Sequence, residues 1–333
     1  MSRNPYFDNL KAVLILLVVL GHTLSEAVDE NKWIASIYMF IYLFHMPAFI
    51  LVSGYFSKVI KTKSDVWKLV KKFLIPYVIF QVIYTFYYTE VYGDKLDLTF
   101  LEPRWALWFL ISMFCWNLLL FIFPKNKTGL ILSILISLVV GYVGNVNETL
   151  TLARTFFFFP FFLVGYILEE KHFTQLKIKR NVAISWLVLG SLFVIVYWVG
   201  DINWKEWLYG RIPYSEISEG PAKYGFLNRA IAYIFMVAAT YGFLSIAPKK
   251  QLTITKIGSI TLIVYLFHMF IIKYVQDSYL YDWVEHTEQY YVLFLLPIVV
   301  VYLLTRKTIV KLGLLLVGTQ RRRKTKKRWV PTK

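Results

Sequence analysis

Three of the five histidines, His22, His45 and His268, lie deep in apolar runs. An imidazole, with an unperturbed pKa of about 6.5, suits general-base or nucleophilic work at neutral pH. Lys11 stands eleven residues before His22, which is about three helical turns and roughly 16 Å along a nearly common face. A cation and an imidazole would thus line one path. Glu26, four residues after His22, would share that face on a continued helix and could orient the ring or raise its basicity. A snorkelling residue at the membrane boundary explains it equally well. His45 belongs to Phe44-His45-Met46-Pro47, followed by Ser53-Gly54. Proline in a membrane helix frees a backbone carbonyl that neighbours or cavity water must satisfy, so this segment can border a polar cavity. A hydrogen-bonded helix contact is the ordinary explanation of one membrane histidine; three at one depth shift the weight towards function. His172 and His286 fall in loops, where solvent accounts for them.

The elements that must position these groups are membrane helices. Of 333 residues 58% are apolar and only 17% charged, with a mean hydropathy of +0.54; soluble chains run nearer about 45–50% and 25%. A formal charge of +17 beside such hydrophobicity points to a nucleic-acid binder or to a membrane protein with its basic residues on one side. The long apolar runs decide for the membrane. A bilayer core takes about 20 residues per helix, and ten segments come close: 12–27, 33–56, 73–92, 105–123, 129–146, 155–168, 182–200, 225–247, 257–275 and 291–305. Extending the sixth outward takes in Arg154. With the N-terminus inside, the connections 1–11, 57–72, 124–128, 169–181, 248–256 and 306–333 hold 28 Lys+Arg and 4 Asp+Glu. The opposite connections hold 7 and 14. Lys/Arg bias in short loops sets orientation, so both termini are expected to be cytoplasmic.

The expectation is an all-α polytopic protein of a cell membrane, with about ten transmembrane helices in one domain over 1–305 and a cytoplasmic basic tail over 306–333. His22 is ten residues past Ala12, His45 twelve past Trp33 and His268 eleven past Ile257, which sets all three in one layer. Segment 309–317 is too brief to cross and should lie along the inner interface. The run 321–328, almost wholly Arg and Lys, reads as an anchor on anionic lipid. Nothing near it resembles a nucleic-acid recognition module, so no nucleic acid is expected as a partner. The single cysteine, Cys115, leaves no disulfide framework and no zinc cluster. The first segment is followed by Glu26, Asp29 and Glu30 rather than by a cleavage site, so it reads as a retained helix.

Four stretches, in order along the chain, carry a resemblance. They are Tyr6-Phe7-Asp8-Asn9-Leu10-Lys11 running to Gly21-His22; Phe44-His45-Met46-Pro47 with Ser53-Gly54-Tyr55; Arg154 with Phe159-Pro160-Phe161-Phe162-Leu163-Val164-Gly165-Tyr166; and Gly258-Ser259 with Tyr265-Leu266-Phe267-His268. As an ordered set they resemble the acyltransferase-3 family of integral-membrane O-acyltransferases, in particular its fucose 4-O-acetylase-like branch. The resemblance implies ten membrane helices and transfer of an acyl group, usually acetyl, from a cytoplasmic acyl-CoA donor to a hydroxyl of a cell-surface or lipid-linked sugar. Acyl-CoA is then a co-substrate, with no bound cofactor or metal, and a bacterial plasma membrane is the expected location. The family's first-helix motif is an arginine, ten intervening residues and an essential histidine. His22 fits, and Lys11 stands where arginine is typical. Arginine grips phosphate with a two-pronged fork, lysine as a point charge.

On this resemblance His22 abstracts the acceptor's proton or carries the acyl group briefly, Glu26 assists it, and Lys11 steadies the donor's phosphates. His45 and Arg154 stabilise the oxyanion or orient the acceptor, with Ser53 and His268 alongside. An ion pair at the membrane rim would also explain Arg154. Rings of segment 201–224, among them Trp204, Trp207, Tyr209 and Tyr214, could stack on a sugar, although an interfacial aromatic belt is the commoner reason for them. A rival reading is a transporter or flippase of a glycan intermediate, because Tyr42-Leu43-Phe44-His45-Met46 recurs as Tyr265-Leu266-Phe267-His268-Met269 on an oppositely running segment.

Overall fold

The computed structural model describes residues 4–144, 149–217 and 222–318, so the basic run 321–328 lies outside the described residues. The first helix, α1 (Pro5–Leu24), begins seven residues before the apolar run because capping, not hydropathy, sets its start. The Asn4 side chain accepts the Tyr6 N–H at 3.0 Å and Pro5 occupies the first turn. Lys11 is therefore inside the helix, on the same rigid rod as His22. Helix α2 (Lys32–Tyr55) returns antiparallel after an Asn31 cap and carries Pro47. Next come α3 (Lys63–Leu69), a π-helical turn (Val70–Leu74) and α4 (Ile75–Tyr92), which form one helical unit Lys63–Tyr92. It starts ten residues earlier than the apolar pattern suggests because Thr62 and Asp65 form a capping box.

A single 3-10 turn (Trp105–Leu107) leads into α5 (Trp108–Leu119), followed by α6 (Lys127–Val140) and α7 (Leu152–Ile167). The chain then bends by 100° into α8 (Glu170–Leu176) and runs on as α9 (Lys179–Val199). Two short helices, α10 (Lys205–Tyr209) and α11 (Tyr214–Ile217), precede α12 (Gly225–Ile246). A 3-10 segment (Thr253–Ser259), bent by 89° against α13 (Thr261–Gln276), comes next, then α14 (Tyr279–Thr287) and α15 (Tyr291–Leu304). The last described helix, α16 (Lys307–Leu316), turns off at 69°, in keeping with an interfacial segment. No β-strand occurs among the described residues.

Five helical units are long and apolar enough to cross a bilayer, and up to eight if each bent pair is one span. The apolar helices Trp105–Leu119 and Lys127–Val140 are shorter. Large apolar side chains face outward, such as Leu187 and Trp198 of α9, Ile131 and Val139 of α6, and Ile298 and Tyr302 of α15. Hydrocarbon is the solvent that such a surface needs. The chain is an all-helical polytopic membrane protein.

Helix α2 is the hub, in contact with α1, α7, α9 and α12. Its approach to α7 is backbone to backbone. A Cβ on Gly54 would stand 2.1 Å from the Phe162 carbonyl oxygen, and one on Gly165 would stand 1.9 Å from the Leu51 oxygen. Small residues permit such closeness, and packing rather than water exclusion holds helices together in lipid. Gly165→Val is therefore expected to force the pair apart and destabilise the protein by at least about 1–3 kcal/mol. Thermal denaturation in detergent reads this out, and an unchanged melting temperature would contradict the contact.

The start of α1 is bolted down by the motif Tyr6–Lys11 itself. The Tyr6 hydroxyl donates to the Leu244 carbonyl at 2.8 Å, and the Asn9 amide donates to Pro248 and Lys250 carbonyls at 2.9 and 2.8 Å. The Asn9 oxygen accepts from Thr255, while Gly258 lies against the Asp8 backbone, where a Cβ would come within 2.1 Å. These bonds fix the height and rotation of α1, hence the positions of Lys11 and His22.

Candidate active site

One cavity of about 870 Å³ passes between α1, α2, α5, α7 and the start of α13. Lys11, Lys72 and Phe56 line its basic end. His22, His45 and Arg154 line its middle, and Tyr209, Arg211 and Glu102 its other end. Lys11 pairs with Asp8 at 2.9 Å and sits 5.6 Å from the Phe56 ring centre. Lys72 had looked like an ordinary loop lysine in sequence. The π-helical turn, which rotates the register by one residue, brings it to the cavity mouth. Such turns often mark functional sites.

His22 is half-buried, and its ring has no hydrogen-bond partner among the described residues. Its ring centre is 5.3 Å from that of His268, and His45 and Arg154 stand close enough to act on its charge. Its backbone carbonyl accepts from Gln276 of α13 at 2.8 Å and from the Ser25 hydroxyl at 2.9 Å. Gln276 gave no signal beyond being a polar residue at a span's edge.

His45 contacts the Ile41 carbonyl through Nδ1 at 2.9 Å. A carbonyl oxygen only accepts, so Nδ1 carries the hydrogen and Nε2 of the neutral ring is a lone pair. In that state Nε2 can receive a proton or a hydroxyl hydrogen bond, but it cannot donate to an oxyanion. Ser53 lines the cavity as well, and its hydroxyl donates to the Phe49 carbonyl at 2.8 Å, which leaves it as an acceptor. Of the residues expected to meet an oxyanion, His45 and Ser53 thus have no free donor in this arrangement, whereas the Arg154 guanidinium does. The Arg154 guanidinium lies 5.0 Å over the Trp108 ring and makes no ion pair among the described residues. The rim ion pair considered for it is absent there. Two consecutive residues before its helix, Leu150 and Thr151, have φ of 54° and 53°, as Trp105 has 50°. Left-handed backbone outside glycine is strained, and it flanks both members of the stacked pair.

Glu26 is not brought to the site. The α-helix stops at Leu24, Glu26 is exposed in the following turn, and it does not line the cavity. With the helix ended, the four-residue spacing no longer sets Glu26 on the His22 face. His268 is buried behind the cavity wall rather than in it. The aromatic outer segment divides in two. Tyr209 and Arg211 reach the cavity, whereas Trp207 and Tyr214 are buried in the protein. Arg211 is locked by two bonds to Glu206, at 2.9 and 2.7 Å, and the Tyr209 and Tyr38 hydroxyls bond to each other. No cluster of three or more metal-ligating side chains occurs among the described residues.

The family model described as an acyltransferase domain matches residues 4–306, nearly all of the described chain. The chain belongs to the acyltransferase-3 family. It is 26% identical over 214 residues to nodulation protein NolL of Sinorhizobium fredii (strain NBRC 101917 / NGR234), covering 58% of this chain and 57% of that relative. A 59-residue stretch is 39% identical to nodulation protein NolL of Mesorhizobium japonicum, covering 17% of this chain and 16% of the relative. The chain thus spans under two thirds of the length of either. No solved structure matches it. Membership of that family speaks for acyl transfer rather than for the transporter suggested by the repeated Tyr-Leu-Phe-His-Met.

Proposed function

We propose that this acyltransferase moves an acyl group, most simply acetyl, from an acyl-CoA thioester to a hydroxyl of a cell-surface or lipid-linked sugar. Ten helices cross a bacterial plasma membrane with both termini cytoplasmic. The observation that carries the reading is the one cavity joining Lys11 and Lys72 to His22 and then to Tyr209 and Arg211. Donor phosphates meet lysines at its basic mouth, and the acyl-bearing arm extends inward towards His22. The sugar enters from the end lined by Tyr209 and Arg211, where tyrosine and tryptophan rings offer flat faces to its C–H surface.

In the reaction the His22 nitrogen facing the cavity takes the hydroxyl proton as the acceptor oxygen bonds to the thioester carbonyl carbon. The carbonyl oxygen becomes an oxyanion opposite Arg154. The intermediate collapses with cleavage of the carbon–sulfur bond, and the proton on His22 passes to the departing thiolate. Ester and thiol are the products, and His22 is neutral again. The Nε2 lone pair of His45 orients the acceptor by accepting a hydrogen bond from one of its hydroxyls.

Purified protein given radiolabelled acetyl-CoA and a panel of wall sugars and lipid-linked sugars is expected to yield labelled ester. Failure with every acyl-CoA and every sugar would overturn the reading. Lys11 supplies a charge-assisted contact worth about 1.5–3 kcal/mol. Lys11→Glu should therefore raise the donor KM by more than about tenfold, with kcat little changed. Lys11→Arg should preserve or improve it; a large rise in KM for the arginine variant would refute phosphate steering.

A further inference from the structure

His268 is the buried titratable group for which the chemistry above has no use. Its Nδ1 lies 2.7 Å from the Tyr265 carbonyl oxygen and 3.2 Å from that of Val264. Both partners only accept, so Nδ1 holds the hydrogen and Nε2 is a bare lone pair in the neutral ring. That Nε2 is buried and has no hydrogen-bond partner among the described residues. A buried acceptor without a donor costs about 1–3 kcal/mol.

The ring nearest to it from another helix is His22, at 5.3 Å between centres and tilted by 43°. Two imidazoles joined by an N–H···N bond of about 3 Å have centres roughly 5.2 Å apart. The observed separation matches that value, and the last side-chain bond of His22 is a soft torsion. Helix α13 already holds His22 from the other side, since Gln276, eight residues beyond His268 on the same helix, donates to the His22 carbonyl.

We infer that His268 is a positioning residue whose Nε2 accepts the N–H of His22 and so fixes the tautomer of the base. This rests on the reading of His22 as the proton acceptor. With one His22 nitrogen committed to His268, the other is a lone pair directed at the cavity. Among the described residues His45 and Arg154 line the same cavity as His22 and the His268 ring lies 5.3 Å away, and no carboxylate hydrogen-bonds the His22 ring. A neutral imidazole thus does the orienting work that a carboxylate does in hydrolase triads, and it adds no second charge inside the membrane.

The test compares His268→Leu with His268→Gln in the labelled-transfer assay. Leucine removes the acceptor and is expected to lower kcat by about 10–100-fold with both KM values unchanged. Glutamine places an amide oxygen near the former Nε2 and should restore kcat to within a few-fold of wild type. In a His22→Ala background the leucine change should cost nothing further. Equal activity of His268→Leu and wild type, equal defects of the leucine and glutamine variants, or a further loss without His22 would each overturn the inference. If the leucine variant does not fold, His268→Met fills the space without a nitrogen acceptor and is read in the same way. Label transfer by the wild type keeps this outcome separate: the acyltransferase reading can stand while the His268 role falls.

Discussion

Replacing His22 by alanine is expected to reduce acyl transfer by about 10²–10⁴-fold, the usual contribution of a general base. The thioester is already activated, so the remaining chemical difficulty is the acceptor, whose hydroxyl is a poor nucleophile until it loses its proton. His22 borders the cavity and its ring makes no hydrogen bond among the described residues. The substitution therefore removes the base and strips from the fold no bond beyond the N–H inferred above to reach His268. Only the backbone carbonyl of His22 is engaged, with Gln276 and Ser25, and alanine keeps that carbonyl. The melting temperature and both KM values should stay near those of wild type while kcat collapses. Glu26→Gln is the matching control, expected to leave the rate unchanged because Glu26 is exposed beyond the end of α1. Residual activity of His22→Ala above a tenth of wild type would remove His22 from the chemistry.

That contrast between His22 and Glu26 shows where sequence was informative. Lys11 and His22 could be related because one uninterrupted helix joins them, and helical geometry over eleven residues leaves little freedom. Glu26 failed by the same rule, since its relation to His22 needed the helix to continue past Leu24. At that end the His22 carbonyl is taken by a local bond from Ser25 and a tertiary one from Gln276. Hydropathy located the apolar runs but not the true helix ends, which follow caps: Asn4 before α1 and Thr62–Asp65 before α3.

The lower legibility of the cavity has the same origin. Lys72 reaches its mouth through a π-helical turn, a register change that no apolar period announces. Tyr209 and Arg211 arrive from a short outer helix whose placement depends on the buried anchors Trp207 and Tyr214. The histidines, by contrast, stood out because a bilayer makes any ionisable group expensive. The tautomers of His45 and His268 became legible only from backbone contacts.

Among the described residues the Arg154 charge meets the face of an aromatic ring and no carboxylate committed to it. It stacks on Trp108 at 5.0 Å and has no ion pair among the described residues, while Glu206 is already committed twice to Arg211. A cation held in a membrane cavity without a counter-ion costs free energy, and its approach through Leu150 and Thr151 is strained as well. On the proposed reading its counterpart is an anion present only during reaction, the tetrahedral oxyanion. Arg154→Gln is accordingly expected to lower kcat by about 10²–10³-fold, the size typical for loss of an oxyanion donor. Its melting temperature should stay level or rise, as happens when a functional residue is held at the expense of stability. Arg154→Lys should recover little, because an ammonium lacks the planar fork that lies flat on an indole. A structural arginine would behave oppositely, with the melting temperature falling and kcat of the folded fraction preserved. Measuring kcat and unfolding on the same preparations separates the two.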